Sequence, residues 1–103
     1  MKKNISTRIE KVFDHRSRLG ITSILTVNEK VSFNELKEML ALSDGSLAAH
    51  LKVLEQAGYI EVRKQFVGRK PLTSYSLTAE GLSAFKAHLQ ILETLIQQSR
   101  KED

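Results

Sequence analysis

The sequence predicts one small domain of the mainly α, α+β class, spanning residues 1–103, and three observations support this. The chain is long enough for a single, modest hydrophobic core. Apolar residues recur at helical spacing over most of its length, and two short stretches alternate apolar and polar residues as strands do. Apolar residues make up 41% and charged residues 27% of the chain, as in ordinary globular proteins, so we expect disorder at the ends only.

Two helices are predicted before residue 30. The first covers about residues 4–14, where apolar residues recur every three or four positions, and the second carries an apolar set between residues 19 and 27. Gly20 lies inside the second helix. Because glycine weakens a helix by roughly 1 kcal/mol relative to alanine, its presence there predicts close packing against another element. Residues 28–30 end this helix.

The third predicted helix begins near residue 34. Residues 31–33 form a short extended piece, and Asn34 caps the helix that follows. Glutamates in its first turns suit the positive end of the helix dipole. Three apolar residues form its buried side: Leu36, Met39 and Leu40. Residues 41 and 42 then make a tight turn.

The fourth predicted helix runs from its cap, Ser43, to about Ala57, and Gly58 follows it at the C′ position that favours glycine. Its buried side is formed by three leucines at helical spacing: Leu47, Leu51 and Leu54. Two helices joined by a tight turn form a helix-turn-helix, which we place at about residues 34–57.

A β-hairpin is predicted over about residues 59–77, because the apolar period there changes from 3.6 to two. Residues 59–63 and 73–77 are the predicted strands. Residues 66–71 form the turn between them, which is marked by glycine and proline and carries two cations. A Thr-Ala-Glu-Gly sequence then begins a long last helix, at about residues 79–99.

The resulting order is helix, helix, short strand, helix, helix, strand, basic turn, strand and long helix, which is the order of a winged helix-turn-helix. In this fold the second helix of the helix-turn-helix lies in the major groove of DNA. The hairpin, called the wing, places cations along the DNA backbone or the minor groove. The sequence therefore predicts a protein that binds double-stranded DNA.

The outer face of the fourth helix is small and polar once its leucines face inward. Small side chains let a helix approach base edges closely, and one lysine is able to reach a phosphate or a guanine. The residues predicted to contact DNA from this helix are Ser43, Gly45, Ser46, Ala49, His50, Lys52 and Gln56. Two alternatives stay open at this point: the face is simply solvated with Ser43 only a cap, or His50 packs inside the protein.

Positive charge is concentrated in two places of a chain whose formal net charge is +4. One is the segment of residues 1–20, and the other is the predicted wing, where one glutamate opposes four cations. The predicted wing contacts to DNA are Arg63, Lys64, Arg69 and Lys70. A basic balance suits a polyanionic partner.

The last helix carries apolar residues spaced 3, 4, 3 and 4, which is a heptad seam, and further apolar residues widen it to nearly two faces. One apolar face packs on the chain's own core, whereas a second favours a partner copy. The predicted homodimer interface combines the first and last helices: Ile5, Ile9, Val12, Leu82, Phe85, Leu89, Leu92 and Ile96. A dimer would present two recognition helices one DNA turn apart and read a pseudo-palindromic operator.

The pattern His-Leu-x-x-Leu-x-x-x-Gly at residues 50–58, within residues 42–60, resembles the recognition helix of the MarR and ArsR winged-helix transcriptional regulators. Residues 76–81 resemble their exit from the wing, and the resemblance covers about residues 13–96. The layout is most similar to small stand-alone MarR-like regulators that dimerise through their terminal helices. The resemblance implies operator binding as a homodimer.

The same resemblance implies which residues contact the operator. Base contacts would come from Ser46, Ala49 and either His50 or Lys52, and wing contacts from Arg69 and Lys70. The chain departs from these families in two ways, because it lacks the metal-binding cysteines of ArsR proteins and the larger helical dimer domain of typical MarR proteins. A cleft between the terminal helices and the winged core could take a small apolar ligand. No residue of the sequence, however, marks a site for such an effector.

Other classes of function have little support in the sequence. The chain has no cysteine, its three histidines are far apart, and no catalytic motif is present, so we expect no metal, no cofactor and no enzyme activity. No stretch is long and apolar enough to be a signal peptide or a membrane span, so we expect a cytoplasmic protein. The remaining alternatives are a winged-helix protein-interaction module and a binder of structured RNA.

Overall fold

A computed structural model describes residues 11–102 of the chain, with side chains up to residue 100. Its elements, in chain order, are α1 (Arg16–Val27), β1 (Val31–Ser32), α2 (Phe33–Leu40), α3 (Asp44–Gln56), β2 (Ile60–Val67), β3 (Lys70–Leu77) and α4 (Ala79–Glu102). This order confirms the predicted winged helix-turn-helix. The helix expected at residues 4–14 lies outside the described residues, except for a helical turn at Lys11 and Val12.

One hydrophobic core joins the helices to one face of the sheet. Phe13, which precedes α1, stacks on Tyr59 with ring centroids 5.8 Å apart and meets Phe85 of α4 edge-on at 5.6 Å. Ile21, at the middle of α1, is fully buried. The other buried apolar residues are Leu25, Val31, Leu36, Leu47, Leu51, Leu54, Ile60 and Tyr75.

The sheet has three antiparallel strands in the order β1-β3-β2. The two long strands form the wing, and β1 adds a short third strand at its base through the pairs Val31–Tyr75 and Ser32–Ser74. Each wing strand has eight residues, so the predicted strands were too short. The wing therefore extends well beyond the core.

The wing turn is shorter than the predicted turn at residues 66–71. Val67 pairs with Lys70, which leaves only Gly68 and Arg69 in the loop. Gly68 has φ 66°, and no other wing residue has a positive φ, which is the pattern of a type II′ turn. Such two-residue turns match the twist of the flanking strands, so pairing continues to the tip.

The start of α2 corrects a predicted cap. Ser32, and not Asn34, caps this helix: its Oγ accepts a hydrogen bond from the Glu35 amide at 3.1 Å, and the Glu35 carboxylate accepts one from the Ser32 amide at 2.9 Å. This Ser-x-x-Glu capping box satisfies two backbone donors at once, which a cap at Asn34 would not do.

The buried side of α2 is narrower than predicted. Leu36 is fully buried and Leu40 packs against the core, but Met39 is 58% exposed. An added Cβ on Gly20 of α1 would lie 2.8 Å from a methyl carbon of Leu40, which confirms the close packing predicted at this glycine. Because α1 approaches along the line of Leu36 and Leu40, Met39 falls outside the contact.

The turn between α2 and α3 contains the one non-glycine residue with a positive φ in the described part of the chain. Ala41 adopts the left-handed conformation at φ 53° and ψ 47°. Its amide donates to the Glu38 carbonyl at 3.3 Å, and the Leu42 amide donates to the Lys37 carbonyl at 3.2 Å. These are the bonds of a Schellman motif, in which C′ is usually glycine.

Replacing Ala41 with glycine should therefore stabilise the protein. The left-handed conformation costs an L-residue roughly 1–2 kcal/mol, and the extra freedom of glycine in the unfolded chain offsets about 0.4–1 kcal/mol of the gain. We expect Ala41→Gly to raise the free energy of unfolding by about 1 kcal/mol in urea denaturation at fixed protein concentration. Ala48→Gly, in the interior of α3, is the control and should lower it by about 1 kcal/mol. Equal destabilisation by both would contradict the strain at Ala41.

Candidate nucleic-acid interface

The ends of α3 are both closed by hydrogen bonds. The Oγ of Ser43 accepts from the Ser46 amide at 3.2 Å, which confirms the predicted N-cap. At the other end the Gly58 amide donates to the Glu55 carbonyl and the Tyr59 amide to the Leu54 carbonyl, both at 3.0 Å. Gly58 has φ 82°, as the C′ residue of a Schellman motif requires. The helix thus ends where the wing begins.

The rotation of α3 is set by its three buried leucines, Leu47, Leu51 and Leu54, which are 0–3% exposed. The opposite face carries most of the predicted DNA contacts. The exposed members of that set are Ser43, Gly45, Ala49, Lys52 and Gln56, and Ser46 is half-buried at the edge of the face. An added Cβ on Gly45 would meet no atom within 4 Å, so this face is open to a close partner.

One acidic side chain lies in the first turn of α3, and it is paired. The Asp44 carboxylate lies 2.8 Å from the Lys37 ammonium of α2; the Asp44 side chain is largely exposed and that of Lys37 is half-buried. The pair reduces the negative charge that Asp44 would present to a phosphate next to the helix start. It also links the two helices of the helix-turn-helix at their surface.

Unlike the exposed residues predicted to contact DNA from α3, His50 contacts other side chains of the protein. Its ring is half-buried, and its Nδ1 lies 3.1 Å from the Arg18 guanidinium of α1. The His15 ring lies 4.3 Å away between centroids, and His15 Nδ1 caps α1 by accepting from the Ser17 amide at 3.1 Å. These contacts support the alternative in which His50 acts within the protein.

Arg18 holds this cluster together, and sequence reasoning did not identify it. Its guanidinium donates to the carbonyl oxygens of Val12 and Lys11 as well as contacting His50. It thereby joins the segment before α1 to α3. No local pattern signals such a contact, because Arg18 and His50 are 32 residues apart in the chain.

The pKa of His50 is lowered from its ordinary value near 6.5. Burial is the largest cause, followed by the positive charge of His15 and that of Arg18. A neutral ring accepts a hydrogen bond from Arg18 at Nδ1, whereas a protonated ring has no acceptor to offer. The cluster is therefore built around neutral His50.

Folding stability should fall in acid partly through this residue. Because the folded pKa lies below the unfolded pKa, the stability contribution is complete above pH of about 6.5 and is lost as the pH falls through the lowered value. We expect the free energy of unfolding of the wild type to decline more between pH 8 and pH 5 than that of His50→Asn. The asparagine keeps an acceptor near the position of Nδ1 and does not titrate. If the free energy of unfolding fell equally with pH in the two proteins, His50 would not contribute to the loss of stability in acid.

The wing presents all four predicted cations to solvent. Alternation along the paired strands places Arg63 and Lys70 on one face and Lys64 on the other, with Arg69 in the turn. Glu61 is the one acidic residue of β2 and β3. The cations thus surround the distal part of the wing.

The predicted dimer residues divide into separate groups. Phe85 is 6% exposed and packs on Phe13, so it has almost no surface left for a partner, which corrects its assignment to the interface. Val12 and Leu82 are half-buried. The exposed members lie further along α4: Leu89 at 45%, Leu92 at 40% and Ile96 at 58%, next to Leu95 at 55%. Ile5 and Ile9 lie outside the described residues.

The heptad seam therefore serves two purposes in one helix. The first turns of α4 cover the chain's own core, because Phe85 and His88 meet Phe13 there. The later turns carry an apolar stripe that nothing covers among the described residues. In the same part of the chain, no helix is long and apolar enough to cross a membrane.

This fold, with an open acid-poor face on α3 beside a basic wing, defines a protein of the winged helix-turn-helix class. Comparison with known protein families agrees with this class: the winged helix DNA-binding domain family matches residues 17–96. The chain belongs to this family. It is accordingly a winged-helix DNA-binding protein, and its family and structural neighbours are transcriptional regulators, not enzymes.

The similarity to known proteins covers most of the chain. An uncharacterized protein of Methanocaldococcus jannaschii is 38% identical over 79 residues, covering 77% of this chain and 86% of that protein. The structure of a transcriptional regulator homologue from Pyrococcus horikoshii OT3 is 29% identical with a TM-score of 0.80, covering 89% of this chain and 93% of the other.

A MarR-family regulator structure from Enterococcus faecalis V583 has a TM-score of 0.83 and covers 99% of this chain and 92% of the other. At 18% identity, its similarity to this chain concerns the fold alone. It confirms the predicted likeness to MarR-type winged helices.

Proposed function

We propose that the chain is a sequence-specific regulator of transcription that binds double-stranded DNA as a homodimer, with α3 in the major groove and the wing on the backbone or minor groove. The observation that carries this proposal is the position of four exposed wing cations directly after a recognition helix with a small, open outer face. Because its partner would be chromosomal DNA, the cytoplasmic location expected from the sequence goes with this proposal.

The two surfaces would have different roles in binding. The outer face of α3 carries a single cation, Lys52, so it fits a groove and reads base edges but attracts phosphates weakly. The wing carries four cations against Glu61 and would supply most of the phosphate contacts. The exposed amides at the start of α3, beside Ser43, suit one further phosphate.

The homodimer is supported by the exposed stripe of α4. Isolated exposed apolar residues are normal on a protein surface, but four within about two turns of one helix are typical of an interface. A symmetric pairing of two α4 helices covers the stripe of both copies with the same surface. It also presents two copies of α3 to one pseudo-palindromic operator.

The wing is tested by reversing two of its charges. We expect Arg69→Glu with Lys70→Glu to weaken binding at least tenfold on a duplex selected from random sequences. The slope of log K against log salt concentration should become shallower by about 2 for each protomer bound, since two phosphate contacts no longer release counterions.

The matched control is Lys86→Glu with Arg100→Glu, which makes the same charge change at exposed positions of α4. Its salt slope should stay within about 1 of the wild-type value. If both double variants lost the same slope, binding would depend only on net charge and the wing would have no special role. A wild type that selects no duplex, but binds a protein or a folded RNA, would favour the two alternative functions.

The dimer is tested at the first residue of the exposed stripe. We expect Leu89→Asp to sediment as a monomer at a concentration where the wild type is a dimer, because a buried carboxylate without a partner opposes association. Gln90→Asp adds the same charge one residue away and should leave the dimer intact. A wild type that sediments as a monomer would contradict the proposal.

A further inference from the structure

Apart from Val27 and Met39, the exposed large apolar side chains among the described residues lie in two places. One is the stripe on α4, and the other is the distal wing, where Phe66 is 73% and Val67 is 59% exposed. Their exposure follows from the length of the strands, because every residue from 63 to 71 is exposed. At about 3.3 Å per residue, Val67 lies roughly 17 Å along the strand from Val62, which still packs on the core.

The two apolar side chains of the distal wing face different neighbours. Phe66 pairs with Pro71 across the hairpin and shares its face with Lys64, two residues earlier on the same strand. Val67 pairs with Lys70 and shares the opposite face with Arg63. The aromatic ring therefore stands on the tip of a basic hairpin with cations on either side of it.

We propose that Phe66 is a wedge that enters the minor groove of the operator beside the recognition helix and partly unstacks a base step. This inference rests on the proposed function and names the residue through which the wing acts on DNA. Apolar side chains inserted between base pairs kink the duplex, and pyrimidine–purine steps such as TA and CA/TG yield most easily. The minor groove of B-DNA is about 6 Å wide, so a side chain at the tip enters where the whole hairpin does not.

The positive charge around the Phe66 ring favours DNA, rather than a second copy of the chain, as the partner of the wing. Four cations and one acid on the wing repel another wing and attract phosphates. The free edge of β3 is also blunted, because β1 ends opposite Ser74 and Pro71 beyond it has no amide to offer an added strand. This edge of the wing is thus poorly suited to pairing with another protein strand, and the opposite edge, β2, carries the charged side chains of Arg63 and Lys64, which oppose an added strand.

The ring also has no structural role that would account for its size. It is absent from the core, and its cross-strand partner, Pro71, is itself exposed. Removal of the ring should therefore leave the fold intact, which makes Phe66→Ala an informative variant.

Selection from a pool of random 40-base-pair duplexes, run in parallel for the wild type and Phe66→Ala, tests the inference. The wild-type consensus should contain a TA or CA/TG step placed symmetrically outside the two major-groove half-sites. Phe66→Ala should recover the same half-sites without a preference at that step. On the wild-type consensus duplex, we expect the variant to bind about 5- to 50-fold more weakly and to bend the DNA less, measured by energy transfer between end labels.

Two variants serve as controls. Val67→Ala removes the other exposed apolar side chain at the tip and should change affinity less than about threefold. Phe66→Leu keeps an apolar wedge and should restore most of the bend. Unfolding temperatures within about 2 °C of the wild type would show that each variant is folded.

Each result separates this inference from the proposed function. If Phe66→Ala binds and bends the consensus duplex as the wild type does, the wedge is overturned while DNA binding stands. If Phe66→Ala lowers the sedimenting mass instead, the ring contacts a second copy and the wedge is again overturned. If the wild type selects no duplex at all, the proposed function is overturned, and the wedge is overturned with it.

Discussion

The burial of Leu47, Leu51 and Leu54 is the constraint on which the rest of the molecule depends. Each buried leucine contributes about 1.5–3 kcal/mol by leaving water, so turning α3 about its axis would cost several kcal/mol. The same burial that stabilises the fold thus determines which residues face outward. Gly45 and Lys52 belong to the outer face because the leucines occupy the inner one, and any partner must meet the helix in that orientation.

The end of the same helix, α3, also determines the position of the wing. The Thr78 hydroxyl donates to the Gly58 carbonyl at 2.7 Å and accepts from the Gly81 amide at 2.9 Å. The Thr78 amide donates to the Tyr59 carbonyl at 3.0 Å. One residue therefore joins the end of α3, the base of the wing and the start of α4. Because these junctions are short and hydrogen-bonded, α3, the basic hairpin and the apolar stripe of α4 keep a fixed relation.

Much of this arrangement could be predicted because it rests on local periodicity. The leucine spacing, the Ser43 cap and the change to a period of two after Gly58 are all readable within a few residues. The errors arose where several contacts compete. Ser32 displaces Asn34 as a cap because Glu35 completes a reciprocal pair, and the wing strands extend because their two-residue turn permits it. The contact between Arg18 and His50 joins distant parts of the chain, which no periodic pattern reports.

The distribution of cations gives the remaining argument about how such a small protein would hold an operator. Arg18 already directs its guanidinium to two backbone carbonyls and His50, which leaves fewer of its N–H donors for a phosphate, and Lys37 is paired with Asp44. Within the described residues the wing holds the largest group of neighbouring exposed cations, so under the proposed function it would be the main source of phosphate contacts, and one wing would supply four at most. Since each contact is weakened by salt, a single copy would bind weakly at physiological ionic strength. A homodimer formed through α4, as proposed, would place two such sets of cations on one duplex, and this would make the apolar stripe as important for affinity as the basic wing.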